Sequence, residues 1–464
     1  MPRISRRVFL AGSASVLTAA AVEAANSGDA DESTSKPLRA GVAVRDITPE
    51  AGIPMWGYSG RKGPATGTLD PLMARALVLA AGEECLALVT LDLGRVPLPS
   101  ALARIRKRVA RQGVKHAIFC ASHTHHGPVM EVDDQPYVKH IEHLIGDAIE
   151  EAAGHLQEAQ VGWGTASIDI SHNRRFIKDG RCFMMWRNAD RIPTQPVDHE
   201  AGIIRVDTTN GTPLAALVHY ACHPVVLGTD NLEYSADWPG EMARHVKEGA
   251  GAECFFLQGG SGDINPYLDK TPIQEGGVDA MRATGREAGQ VVLAALAGIQ
   301  SARSESPSIS YAEDSVEIGT RWDFSNLDLR NALKEKYGSL FDKYIAPLKP
   351  DLEVKMSTLL IDRTLALSFM PGELFVQFQL DLKKNSPLPA TFLCGYADDF
   401  YLYFPTIKDA AIGGYGASTT TFVGVGAGEK LVRQAALQAG RLAGIFPDLP
   451  RPEDFVLHEY PPVG

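Results

Sequence analysis

The run Ser122-His123-Thr124-His125-His126-Gly127-Pro128 puts three imidazoles within four residues. It follows Ala117-Ile118-Phe119-Cys120-Ala121, an apolar run of the length and composition of a buried strand. The Gly-Pro pair closes the run with a turn. In an extended segment His123 and His125 project to the same side, because side chains alternate with a period of two. Two same-side imidazoles are half of a tetrahedral zinc site. His126 is the alternative second donor. Three further candidates stand elsewhere: His223 in Cys222-His223-Pro224, Glu373 in Met370-Pro371-Gly372-Glu373, and Tyr403. His123, His223 and Glu373 each fall one to four residues after an apolar strand, and Tyr403 follows one after a longer loop. In open α/β sheets ligands bind outside the carboxyl ends of strands, so four ligands from four distant segments are expected to meet on one rim.

The elements that must position them alternate between strand and helix. Strand pairs are expected at 76–79 with 86–93, at 202–206 with 214–221, and at 352–361 with 364–369. Single strands are expected at 159–170, 253–257, 309–318 and 391–396. Helices are expected over 100–111, with Ser100 as N-cap, and over 137–155, 241–248, 280–299, 327–336 and 374–384, with a last one before Ala443. The class is therefore α/β: a single large domain over 38–464, with a mixed β-sheet, flanking helices and a metal site at strand ends.

The 464 residues are 45% hydrophobic and 22% charged, ordinary for a globular protein. A net charge of −11 with no basic stripe beyond the N-terminus argues against a nucleic-acid partner. Residues 1–24 read as a twin-arginine signal peptide. Ser5-Arg6-Arg7-Val8-Phe9-Leu10 precedes a mild apolar stretch, and small residues lie near Ala21–Ala25. Residues 25–37 read as a flexible linker. The expected location is periplasmic, cell-surface or secreted. After the signal no apolar run of about 18 residues predicts a membrane span. The six cysteines lie mostly in apolar runs and form no C-x-x-C, so neither a disulfide framework nor cysteine ligation of zinc is expected.

Blocks in shared order extend the argument from Asp46 to about Ser418. They are Arg45-Asp46-Ile47-Thr48-Pro49 with Trp56-Gly57-Tyr58, Ser122–Pro128, Asn173-Arg174, Cys222-His223-Pro224-Val225-Val226-Leu227-Gly228, Ser235-Ala236-Asp237-Trp238-Pro239-Gly240, Gly262-Asp263-Ile264-Asn265-Pro266, and Tyr403-Phe404-Pro405-Thr406 with Tyr415-Gly416-Ala417-Ser418-Thr419. In these blocks the chain resembles the catalytic domain of the neutral, non-lysosomal ceramidase family. The resemblance implies a zinc ion (Zn2+) held by His123, His223, Glu373 and Tyr403, with His125, Arg174 and Tyr415 at the scissile group. It implies a small-molecule or lipid-like amide as substrate. Asn265 stands where the family has a serine, and an amide side chain cannot attack. The family also carries a C-terminal immunoglobulin-like domain, and none is expected within these 464 residues. Both departures leave the substrate open beyond ceramide.

The expected chemistry is hydrolysis of an amide or an ester by metal-activated water, with no serine nucleophile needed. Asn265 would donate a hydrogen bond to substrate or oxyanion. Ser261 lies in no G-x-S-x-G elbow. His219 is expected to be a core histidine. Asp237 and Asp263 are expected either to orient ligating histidines or to cap loops. Glu373 could alternatively serve the positive end of its helix. Two other readings stay open. His123-Thr124-His125-His126 is similar to the metallo-β-lactamase H-x-H-x-D-H, but Gly127-Pro128 stands where Asp-His should follow. The chain could also be a periplasmic binding protein on a degenerate enzyme fold.

Overall fold

The apolar runs assemble, in the computed structural model, into an eight-stranded mixed sheet. The structure describes residues 36–456 apart from 133, 339, 340, 347, 419 and 448. The twin-arginine segment and most of the expected linker lie outside the described residues. From edge to edge the sheet runs Glu253–Gln258, Pro213–Tyr220, Glu200–Thr208, Gln157–Ser167, Arg39–Asp46, Met73–Ala81, Glu84–Leu91 and His116–Ala121. Interior neighbours pair antiparallel, and the outermost pair at each edge is parallel. A parallel pair needs a crossover. The helix Pro99–Val109 supplies one and Asp237–Ala250 supplies the other.

The central strand Met73–Ala81 is buried on both faces. Along Met73–Ala81, Ala76 and Val78 pack with Ile141 and Ile145 of the helix Pro136–Gly154. The alternate residues Leu77 and Leu79 pack with Leu359, Leu367 and Phe392. Those belong to a second sheet, ordered Ile309–Glu317, Glu353–Ile361, Leu365–Phe369 and Ala390–Cys394. Phe378 and Leu382 of the helix Val376–Asn385, with Leu431 and Ala435 of the helix Ala427–Leu442, cover its outer face. The layers are therefore helix, sheet, sheet, helix. Period-two alternation with apolar residues at both phases marks a strand buried on both sides. Truncating a side chain such as Leu77 in the seam between sheets would leave a cavity costing about 2–5 kcal/mol.

The expected mixed sheet and flanking helices are present, and the second sheet is the addition. Ser100 is not the cap expected of it: the first helix starts at Pro99, and Leu98 occupies the N-cap. Proline is favoured at the first helical position, where its missing N–H costs nothing. All six cysteines are free. Among the described residues no helix is long and apolar enough to cross a membrane.

One contact decides where the site forms. Gln258 ends one edge strand, and its Nε2 donates to Ser122 O (3.1 Å), just past the opposite edge strand, and to Cys222 O (2.9 Å). Its Oε1 accepts from Cys222 N (3.1 Å). The sheet thus curls until its two edges meet at their carboxyl ends, and the segments carrying His123 and His223 become neighbours.

Candidate metal centre

His123 is not extended. It sits in the left-handed region, at φ 69°, two residues beyond its strand. Period-two alternation therefore does not bring His123 and His125 together, which corrects the geometry expected above; a turn does. The strained backbone is held by its surroundings, as such residues must be. His123 N donates to Leu93 O (2.9 Å), and its Nδ1 lies 2.7 Å from Gly94 O. Tyr396 lies against the ring at 4.3 Å between centroids, with Trp56 edge-on at 5.0 Å. His125 Nε2 comes to 3.4 Å from His123 Nε2. Gly57 explains part of the Trp-Gly-Tyr block: at φ 99°, a Cβ there would stand 2.5 Å from His125 Cγ.

His223 follows the strand Pro213–Tyr220. Its Nδ1 lies 3.1 Å from Ile264 O, and its own carbonyl accepts from Trp238 Nε1 (3.1 Å). Glu373 comes from a two-residue strand paired in parallel with Tyr403-Phe404, Glu373 opposite Tyr403. Glu373 Oε2 lies 3.2 Å from His223 Nε2 and 3.4 Å from His123 Nε2. All three side chains are buried. His123, His125 and His223 form a cluster whose ligand atoms lie within 4.8 Å of one another.

The donor chemistry suits a cation. A backbone carbonyl accepts only from N–H, so Nδ1 carries the proton in His123 and in His223. Each then turns a bare Nε2 lone pair inward. The Glu373 carboxylate oxygen faces the same point, and three acceptors so close repel unless a cation or proton sits among them. Burial holds the His223 ring neutral, with a pKa of about 3, aided by the nearby Arg174 charge. Burial pushes the Glu373 carboxyl up, and it is held well below the usual carboxylate range only by positive charge at the His123 and His223 nitrogens, the charge a shared cation would supply. Burial and the neighbouring His123 and His223 keep His125 well below an ordinary imidazole, and its buried Nδ1 has no partner.

Arg174 forms the other side. Its Nη1 donates to Asn265 Oδ1 (3.0 Å), and its Nη2 donates to Gly262 O (2.6 Å) and Tyr403 Oη (3.1 Å). Its guanidinium lies 5.3 Å from the ring centres of both Trp186 and Tyr415. Burial lowers its pKa, but Tyr403, Tyr415 and Glu373 more than reverse this and keep it charged. Asn265 is committed on both sides, because its Nδ2 donates to Asp269 Oδ2 (2.8 Å). Asp269 in turn pairs with Lys270, 2.6 Å away.

The remaining candidates sort by their partners. His126 Nδ1 accepts from Arg61 (3.0 Å) and Asn231 (3.1 Å), and its Nε2 donates to Leu227 O (3.2 Å). It is a satisfied structural histidine with the opposite tautomer to His123. His219 is a core residue, with Nε2 donating to Leu393 O (2.6 Å). Asp237 and Asp263 orient neither cluster histidine directly. Asp237 accepts from Val226 N and Leu227 N, pinning the loop after His223, and Asp263 accepts from Val376 N at a helix start. Glu373 therefore does not serve that helix end. Ser261 Oγ bonds Tyr396 Oη (2.8 Å). Gln258, Tyr396, Trp186 and Lys270 carry no motif and were not expected. Only the position of Gln258 and Tyr396 at strand ends could have pointed to them.

This two-sheet sandwich with a histidine cluster at its curled sheet edges has counterparts among solved structures. No known family profile matches the chain. Among solved structures it is similar to the neutral ceramidase from Pseudomonas aeruginosa, with a TM-score of 0.69 at 18% identity, over 89% of this chain and 75% of the other. It is equally similar to a ceramidase complexed with C2, with a TM-score of 0.67 at 18% identity, over 89% and 76%. The chain has the neutral ceramidase fold, in agreement with the resemblance carried by its sequence blocks.

Proposed function

We propose that the chain is a zinc-dependent hydrolase of an N-acyl amide in a lipid-like molecule, or of the corresponding ester. It acts in the periplasm or at the cell surface after twin-arginine export. The observation that carries the reading is the convergence of His223 Nε2 and His123 Nε2 on Glu373 Oε2, at 3.2 and 3.4 Å, with the histidine ligand atoms within 4.8 Å of one another. Those three residues would hold the ion, with Tyr403 as the fourth. When bound, zinc supplies Lewis acidity toward a carbonyl and lowers the pKa of water to about 7.

The chain's own groups do the rest. His125 is neutral and turns Nε2 toward His123 at 3.4 Å, so that nitrogen accepts a proton from the attacking water and returns it to the leaving nitrogen. Arg174 holds a permanent positive charge for the developing oxyanion, and Tyr415 stands beside it. Asn265 acts through Arg174, because both ends of its amide are already bonded.

The test is metal content and turnover of the full chain. One zinc per chain is expected, lost in the His123→Ala/His223→Ala double variant. Turnover on a panel of N-acyl amides and esters should then fall by about three orders of magnitude or more. Turnover that survives both chelation and the double substitution overturns the reading. Bound zinc with no turnover on the panel would instead favour a binding protein on this fold.

A further inference from the structure

Beside Arg174 the chain makes a hairpin, Arg175–Lys178 with Arg181–Met184, turned by Asp179-Gly180. Both turn residues have positive φ, the geometry for which Asp-Gly is favoured. Its inner face is anchored. Arg175 is buried and donates to Gly413 O (2.9 Å) and Tyr415 O (3.2 Å), and Cys182 packs so closely on Gly414 that a Cβ there would stand 2.7 Å from its Sγ. Met185, just after the hairpin, bonds Arg174 O (2.8 Å).

The outer face is unlike the rest of the surface. Phe176 and Phe183 are cross-strand partners on it, 36% and 53% exposed, while Ile177 pairs with Cys182 on the other face. Next to them Lys178 lies directly opposite Arg181. Like charges facing across a strand pair are destabilising, and an exposed phenylalanine pair gains little from folding. Neither cation has an ion-pair partner among the described residues. With the exposed Asp179 carboxylate in the turn between them, the tip keeps one net positive charge beside its aromatic pair, on a chain of net charge −11.

We propose that the hairpin is the element by which the protein sits on an anionic lipid surface. Phe176 and Phe183 enter the headgroup–acyl boundary, and Lys178 and Arg181 on the same face meet the lipid phosphates. Amphipathic elements with basic and aromatic residues bind membranes by this combination. Charge complementarity selects the occupant. An anionic surface repels most of this acidic chain and attracts the tip, which presents the Trp186–Tyr415 side of Arg174 to the bilayer. The inference rests on the lipid-amide reading of the neighbouring site, since a water-soluble substrate would need no such surface.

Co-sedimentation of the full chain with vesicles tests it without any substrate. One set is phosphatidylcholine alone, and the other contains phosphatidylglycerol. The chain should partition onto the anionic vesicles, and salt should weaken it. Phe176→Ala/Phe183→Ala and Lys178→Glu/Arg181→Glu should each lower partition by about tenfold or more. Turnover of a short-chain amide in solution should stay at the wild-type level in both, which reports intact folding. Wild-type partition in both variants, no binding of the parent chain to either vesicle type, or a hairpin that only mediates self-association overturns the proposal. A failure here leaves the hydrolase reading intact, whereas loss of all turnover with normal partition would strike the hydrolase reading alone.

Discussion

Glu373 and Tyr403 are register partners, and Tyr403, the proposed fourth ligand, also reaches the other side of the site. The Glu373 carboxylate lies between His123 and His223, while the Tyr403 hydroxyl lies on Arg174. The histidine side is fixed by main-chain carbonyls, Gly94 O and Ile264 O, which set the tautomer and leave lone pairs pointing inward. The arginine side is fixed largely by side chains, Asn265 and Tyr403, around a charge that does not titrate at accessible pH. One side is built to attract a cation and the other to attract an anion. A polarised carbonyl between them would have its oxygen drawn by both.

The strongest way to break that comparison is to remove the arginine and keep the histidines. Arg174→Ala should lower kcat by about 10²–10³, the usual loss of an oxyanion-stabilising group, while zinc content stays at the wild-type level. Loss of zinc in this variant would show that the two sides are not separate.

The buried histidines outside both sides respond to acid. Burial holds His219 at about 4 and His126 at about 3. Each is neutral when folded and takes a proton near pH 6.5 when unfolded, so the unfolded state binds more protons between these values. Stability is full above about pH 6.5 and falls as pH drops through the folded pKa, by roughly 3 kcal/mol for His219 alone. Urea unfolding across pH 4–7 should show the slope, and His219→Gln should flatten it. An equal slope in both proteins would remove His219 from the account.

Much of this was legible in the sequence, and the failures have physical causes. The apolar runs and their helical partners were readable because strands buried on both faces give continuous hydrophobic stretches. What such a run packs against is not written in it, so the second sheet went unseen. His123, His223 and Glu373 were placed by their position after strands. Their convergence needed the sheet to curl, and that depends on contacts such as Gln258 to Ser122 that no local pattern encodes. His123 and His125 were paired for the wrong reason, since alternation fails at a residue with φ 69°. The Asp179-Gly180 hairpin was within reach of a turn rule and is absent from the elements expected above.

Gln258 sharpens the comparison from the histidine side. Its amide binds both ligand-bearing loops, so Gln258→Leu should weaken zinc affinity by about 10–100-fold, as loss of an orienting partner does. Competition with a chelator on the folded protein measures this. Gln258→Glu should do no better, because it keeps the acceptor for Cys222 N but turns an oxygen that cannot donate toward Ser122 O and Cys222 O. Unchanged affinity in Gln258→Leu would mean that the curled edges are held by packing alone.

The smallest expected effect tests the arginine side. Asn265→Ala removes the Oδ1 acceptor of Arg174 and the Nδ2 donor to Asp269, while Lys270 still neutralises that carboxylate. Arg174 keeps Gly262 O and Tyr403 Oη, so its charge stays in place but its aim loosens. A drop of about tenfold in kcat with little change in KM and full zinc content is expected, the mark of an interaction felt mainly in the transition state. A fall confined to KM would move Asn265 from orienting Arg174 to binding substrate. Asn265→Ser makes the distinction finer, because a shorter hydroxyl reaches Arg174 and Asp269 less well than the amide. If the serine variant gained activity through a hydroxyl nucleophile, that activity would survive Arg174→Lys better than the parent's does.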